Sequence, residues 1–442
     1  MGKDIRAISL FSGAGGLDIG AIHAGVHIVW ANDAMKEACE TYRLNIGNHI
    51  VCGDVNQHIE EIKRFSDIDL VIGGPPCQGF SVAGKMDAED KRSQLVWTYA
   101  KIVSIVKPKA FIMENVKALA EISRWKNVRE QLLKTFRKEG YAVNYVVLNA
   151  SDFNVPQARE RVFFVGFRDK NDMVPNLELM MEPYKASSPS VGEILKQMDK
   201  AGSGNNKGLC NAKITLAKKP VLRNSAYSGM LFNGMGRPLD LDGYSATLPA
   251  SMGGNKTPIV DEKALYEGQK PWVEHYFELI SSDSSNIGKF KVPTYLRRLT
   301  LQEAARLQTF PDSYVFSGPQ STAFTQIGNA VPCNLAEAVC KMVIDVISDK
   351  QKLIPIMSET ENTTLVVDKN KATQILLDAV ENSKEIKDEL GAKIKKILTT
   401  DEAKAFRYIL FTAILAKATD DRVDPLSLQK KDNVPGAYDA RT

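Results

Sequence analysis

Cysteine, histidine and net charge are all scarce in this sequence of 442 residues. Its six cysteines (Cys39, Cys52, Cys77, Cys210, Cys333 and Cys340) include no C-x-x-C pair, and the five histidines do not cluster with them. That argues against a zinc site or a disulfide framework and fits reduced thiols in a cytoplasm; no metal is expected. No stretch approaches the roughly 18 uninterrupted apolar residues of a membrane span. The N-terminus, MGKDIRAISLFSGAGG, has no apolar run ahead of a small-residue cleavage site. A cytoplasmic protein without a membrane partner is the expectation. Net charge is only 57 − 53 = +4, too small to advertise a broad basic face for nucleic acid.

What is present is a globular composition, 44% apolar and 25% charged, in a chain long enough for two or three domains. From residue 5 to about 168, apolar runs (RAISLF, HIVWAN, LVIGG, AFIMEN, NYVVLNA, RVFFVGF) alternate with helical spacings such as KEACETYRLNI, SQLVWTYAKIVSIV and NVREQLLKTFRKEG. This alternation predicts the α/β class, a parallel sheet with helices on both faces and its ligand edge just after the strands. Residues 170–290 carry loop signals instead (ASSPS, AGSGNNKG, NGMGRP, ASMGGNKTP), with 14 basic and 13 acidic residues. They read as a separate small domain or a large insertion. Two helical patterns, RRLTLQEAARLQTF and AEAVCKMVIDVI, then return the chain to the core. Residues 351–442 hold 15 basic and 15 acidic residues and predict a helical extension, so the whole +4 lies in residues 1–350.

Five motifs carry chemistry. Phe11-Ser12-Gly13-Ala14-Gly15-Gly16 follows the first strand, where glycines allow close backbone approach to a ligand and the next helix favours negative charge. A dinucleotide fingerprint wants glycine where Asp18 stands, so the loop suits a nucleotide-like ligand but not NAD. Asp33, after the second strand, could take both hydroxyls of a ribose; Asp54, after a short third strand, could meet an adenine edge. Either alone would read as a turn former. In Gly73-Gly74-Pro75-Pro76-Cys77-Gln78-Gly79-Phe80-Ser81 the stiff loop would hold Cys77 exposed as a nucleophile, given donors that lower its pKa. Glu114 ends the strand AFIM and could donate a proton if burial raises its pKa. Arg159 and Arg161 share a face if their strand starts early enough, and Gly328-Asn329-Ala330-Val331-Pro332 is either a helix entry or the cap of a cofactor pocket.

In this order the motifs resemble the DNA (cytosine-5)-methyltransferases of bacterial restriction–modification systems. The matching stretches, FSGAGG, GGPPCQGFS, MENV, QARERVFFVG, RRLTLQEAARLQTFPD and GNAVP, run from residue 7 to about 345. The resemblance implies a Rossmann-like methyltransferase sheet, with 1–169 and 291–350 as catalytic domain, 170–290 as target recognition domain and 351–442 as a helical extension. It implies S-adenosyl-L-methionine as cofactor, lined by Phe11, Gly13 and Gly15, with Asp33 at the ribose, Asp54 at the adenine, Leu95 as a further pocket residue, and Asn329 and Val331 closing the methionine end. Arg92-Ser93 departs from the family form at a non-catalytic position.

The same resemblance makes Cys77 the nucleophile toward C6 of a flipped-out cytosine and Glu114 the holder of N3 and the exocyclic amine. Arg159 would contact O2 or the adduct, with Arg161 in support. Double-stranded DNA is the implied partner, touched by Gln78, Ser81, Arg237, Thr247 and Leu248. Lys218, Lys219 and Arg223 are further candidates or plain solvated charges. A monomer is expected. Two alternatives stand beside this reading: a transfer-RNA cytosine-5 methyltransferase, whose relatives lack so long a variable region, and an inactive DNA-binding homologue. The ending DPLSLQKKDNVPGAYDART resembles segments near the start of some restriction endonucleases. That points to a fused or truncated modification–restriction gene and a cognate endonuclease as genetic partner; the alternative is a helical appendage for packing.

Overall fold

A computed structural model describes residues 4–76, 94–170 and 173–356. Cys77, Gln78 and Ser81, the pair Arg92-Ser93, and the extension from residue 357 onward lie outside the described residues. By its internal contacts the chain divides into Met1–Pro355 and Ile356–Thr442, and the sheet and its ligand edge belong to the first unit.

The apolar runs form one sheet. Its strands are β1 (Ile5–Leu10), β2 (Val26–Asp33), β3 (Ile50–Cys52), β4 (Leu70–Gly73), β5 (Ala110–Val116), β6 (Tyr141–Asn149) and, after a two-residue β7 (Gln157–Ala158), β8 (Glu160–Arg168). The order is β3-β2-β1-β4-β5-β8-β6. The expectation of a wholly parallel sheet needs one correction, because β8 runs antiparallel to both β5 and β6. The connection from β6 to β8, residues 150–159, is too short for the crossover helix that a parallel return requires. The other strands pair parallel, which places the turns after β1, β2, β3, β4 and β5 along one edge.

Alternation along the strands makes two cores. Ala7, Leu70, Ile72 and Ile112 face Leu17, Ala21, Tyr42 and Leu335, from helices Gly16–His23, Lys36–Asn45 and Cys333–Ile347. Ile8, Val71, Phe111 and Met113 face Val96, Tyr99, Leu132 and Phe136, from helices Leu95–Val106 and Lys126–Lys138. The doubly covered sheet explains why its strands read as continuous apolar runs rather than as alternating ones.

The loop-rich stretch is not without structure. Helix Trp272–Ser282 turns Val273, Tyr276 and Ile280 onto Leu231, Phe232, Ile259 and Leu296, a small core of its own. A second cluster joins Val191, Leu195, Leu239, Leu241 and Leu248 to Ala14 and Ile19 of the large sheet's first turn and helix. The motif GNAVP joins two helices, with Pro332 at the N-cap of the last core helix. Gly328 and Asn329 end helix Gln320–Asn329, and Ala330 to Pro332 lead extended into Cys333–Ile347. Among the described residues no helix is long and apolar enough to cross a membrane.

Candidate active site

The glycine loop after β1 is held in a left-handed path, with Phe11 at φ 56°, Gly13 at 55° and Gly15 at 83°. Ser12 N–H donates to the Asn32 carbonyl (2.9 Å), and Gly13 N–H donates to Asp33 Oδ2 (2.8 Å), while Met35 N–H donates to Asp33 Oδ1 (2.8 Å). Burial raises the Asp33 carboxyl, and these N–H groups oppose that rise. A Cβ on Gly13 would meet nothing within 4 Å, so the loop is open on that side to a ligand. On Gly16 a Cβ would lie 2.4 Å from the Val331 carbonyl oxygen, so the GNAVP turn closes directly on the loop. Asp54 is exposed and accepts from Asn56 N–H (2.9 Å) and Asn56 Nδ2 (2.8 Å). Asn56 in turn accepts from Thr98 (3.2 Å), which ties this turn to the start of the helix that carries half-buried Leu95. Asn329 is exposed, whereas the Val331 side chain belongs to the core.

Beneath the loop Asp18 is fully buried and accepts from the Tyr42 hydroxyl (2.9 Å). Burial pushes its carboxyl up from 3.8 to about 6. A carboxyl raised on folding contributes stability that is full below its unfolded pKa and is lost as pH rises through the folded one; here that amounts to about 3 kcal/mol. The melting temperature of the wild type is therefore expected to fall between about pH 4 and pH 7 relative to an Asp18→Asn variant. Parallel melting curves across that range would show that Asp18 does not titrate there.

At the end of β5, buried Glu114 meets Arg161 from β8, with Arg161 Nε 3.0 Å from Glu114 Oε1. Burial raises the Glu114 carboxyl, and the charges of Arg161 and Arg159 oppose it. The loop that leads to Cys77 leaves β4 beside this pair. A Cβ on Gly74 would lie 2.9 Å from Glu114 Oε2, and Asn115 Nδ2 donates to the Pro75 carbonyl (3.1 Å). Four of the other thiols offer little chemistry: Cys39, Cys333 and Cys340 are buried, which pushes each of them up, and Cys210 is buried as well, while Cys52 is exposed at the end of β3. Among the described residues no group of His, Cys, Asp or Glu could hold a metal.

Two of the expected contact residues are buried. Arg159 is 1% exposed, and its guanidinium donates to the carbonyls of Leu248 (3.3 Å), Gly328 (2.9 Å) and Ala330 (2.9 Å). These bonds tie its guanidinium to the backbone at three positions. Arg159 lies between β7 and β8, and its charge, like that of Arg161, acts on Glu114. Leu248, expected at DNA, is 1% exposed and packs in the core. Thr247 beside it is exposed and donates to the Ala158 carbonyl (3.1 Å), and Arg237 is half-buried.

Three buried side chains have roles that the sequence does not signal. Gln157 accepts from Leu248 N–H (3.1 Å) and donates to Gln308 Oε1 (3.1 Å); Gln308 donates to the Ile327 carbonyl (2.7 Å). Gln157 stands inside the QARERVFFVG motif, but nothing in its spacing links it to Gln308. Arg298 is 2% exposed and donates to Thr257 O (2.8 Å), Asn233 Oδ1 (3.1 Å) and Ala212 O (3.4 Å). It braces the loops 233–237 and 253–257 from beneath, and these loops also meet through Gly236 N–H and Asn255 O (3.0 Å).

Comparison with known proteins identifies relatives of this chain. Residues 5–345 match the family described as C-5 cytosine-specific DNA methylase, and residues 370–442 match the N-terminal domain of the SacI restriction endonuclease. The Type II methyltransferase M1.HphI of Haemophilus parahaemolyticus is 33% identical over 352 residues, covering 76% of this chain and 86% of its own. M.FnuDI of Fusobacterium nucleatum, another Type II methyltransferase, is 32% identical over 357 residues, covering 79% and 97%. A prophage-encoded protein of Escherichia coli shares the fold at a TM-score of 0.56 and 22% identity, covering 78% of this chain and 99% of its own. With its family match spanning most of its length and relatives above 30% identity, the chain belongs to the C-5 cytosine-specific DNA methylase family.

Proposed function

We propose that the protein methylates C5 of a flipped-out cytosine in a specific duplex DNA sequence through a covalent bond between Cys77 and C6. The observation that carries this reading is the Glu114–Arg161 pair at the end of β5, beside the loop that leads to Cys77. S-adenosyl-L-methionine, when bound, supplies an electrophilic methyl group. The open side of Gly13, the Asp33 carboxylate and exposed Asp54 fit its nucleoside, and Asn329 lies at the turn that closes on the glycine loop.

The chemistry follows from the base. C5 of cytosine is a poor nucleophile, and addition of the Cys77 thiolate at C6 moves electron density onto it. A Glu114 carboxyl raised by burial keeps its proton for N3 and accepts from the exocyclic amine, which stabilises the negative charge of the adduct. Arg161 fixes the direction of that carboxyl. Once C5 carries the methyl group, loss of its proton and elimination of Cys77 restore the ring. Both carbons are stacked inside a duplex, so the base must leave the stack.

The region around 233–257 reads the DNA in this proposal, with Arg237 and Thr247 as contacts. The named relatives are Type II methyltransferases, and the SacI-like match at 370–442 supports a methylase joined to part of a restriction endonuclease, protecting the DNA that such a nuclease would cut. Purified protein is expected to move tritium from labelled S-adenosylmethionine to duplex DNA, and bisulfite sequencing of DNA from expressing cells should show one methylated sequence context. Transfer to tRNA but not to duplex DNA would overturn the DNA reading.

A further inference from the structure

Arg159 is a buried cation that donates to three backbone carbonyls. Two of its acceptors, Gly328 and Ala330, flank Asn329 in the turn that closes on the glycine loop; the third, Leu248, follows Thr247 in the segment proposed to touch DNA. The same two segments meet in other ways. A Cβ on Gly328 would lie 2.5 Å from the Ala250 nitrogen, so the backbones are in direct contact. Ser245 and Ala246 pair with Gln157 and Ala158, and the Gln157–Gln308 pair links Leu248 N–H to the Ile327 carbonyl. Neither segment can shift without stretching bonds to the other, and a buried guanidinium that loses an acceptor is costly.

We infer that Arg159 is a positioning residue that couples cofactor binding to DNA binding, by making the turn at Asn329 and the segment Thr247–Leu248 move as one piece. The inference rests on the proposed function for the identity of the two ligands. Coupling of this kind is reciprocal: each ligand must raise the affinity for the other by the same factor.

The test measures binding of S-adenosylhomocysteine and of a duplex carrying the site found by bisulfite sequencing, each alone and in the presence of the other. In the wild type each ligand is expected to tighten the other by about tenfold. In Arg159→Lys, which keeps the charge but cannot reach three acceptors in its fork geometry, that factor should fall close to one. Gln308→Met, which removes an outer member of the same knot, should lower it in part and serves if the lysine variant does not fold. A variant that weakens both affinities but keeps the wild-type factor would overturn the coupling and leave Arg159 a purely structural residue. So would a wild type in which the two ligands bind independently. A wild type that binds neither ligand would instead overturn the proposed function, so the two failures are distinguishable.

Discussion

Cys77→Ala is expected to reduce methyl transfer at least about ten-thousand-fold, because no other group can take the place of the thiolate at C6. Among the described residues the alternatives are poor. Cys39, Cys210, Cys333 and Cys340 are buried, and Cys52 lies at the end of β3 rather than beside Glu114. The loss should appear in the single-turnover rate of tritium transfer. Affinity for duplex DNA should stay within a few-fold, since alanine removes one sulfur atom and the loop's anchor is the Asn115 bond to Pro75. A duplex with 5-fluorocytosine at the target adds a second readout. Fluorine cannot leave C5 as a proton does, so the wild type should form a stable covalent complex and Cys77→Ala none. Transfer by the variant above about one part in a hundred of wild type would sink the covalent route.

Glu114→Gln is expected to lower kcat by about a hundred- to a thousand-fold with a much smaller effect on KM. Glutamine fills the same space and can still hydrogen-bond the base, but it carries no proton to give. Burial holds the Glu114 carboxyl above the usual carboxylate range, so it stays protonated to higher pH than a free glutamate, and Arg161 limits the rise. The direction of the pH effect is set by that rise: wild-type kcat should decline as pH passes upward through the folded pKa of Glu114, whereas the residual activity of Glu114→Gln should lack that decline. Comparison of kcat against pH for both proteins checks it. A variant with wild-type kcat and only a raised KM would show that Glu114 binds the base without taking part in the chemistry.

Much of the fold is legible in the sequence because the chemistry is written in order along one sheet edge. Most of the strands announce themselves as apolar runs, since a sheet covered on both faces has no polar side to interrupt them. The place of Glu114 is legible because a strand end leaves it few directions to point, whereas Cys77 lies outside the described residues. The antiparallel run of β8 is not, because pairing direction depends on the reach of a ten-residue connection and not on composition. The partners of Arg159 are equally hidden, because the carbonyls it donates to, those of Leu248, Gly328 and Ala330, lie far along the chain. Leu248 is obscured for the same kind of reason. A leucine in a loop-rich stretch carries no sign of the core that a distant helix brings to it.

The brace at Arg298 has a consequence for how such a protein diversifies. Two of its three acceptors are main-chain carbonyls, Thr257 and Ala212, which every amino acid supplies. Met235, Asn255 and Lys256 above it are exposed and contribute no side-chain bond to the brace. Mutation can therefore rewrite the outward face of these loops while their foundation stays intact. Under the proposed reading of these loops as the DNA-contacting region, a lineage can change its target sequence through folded intermediates, rather than crossing a valley of unfolded ones.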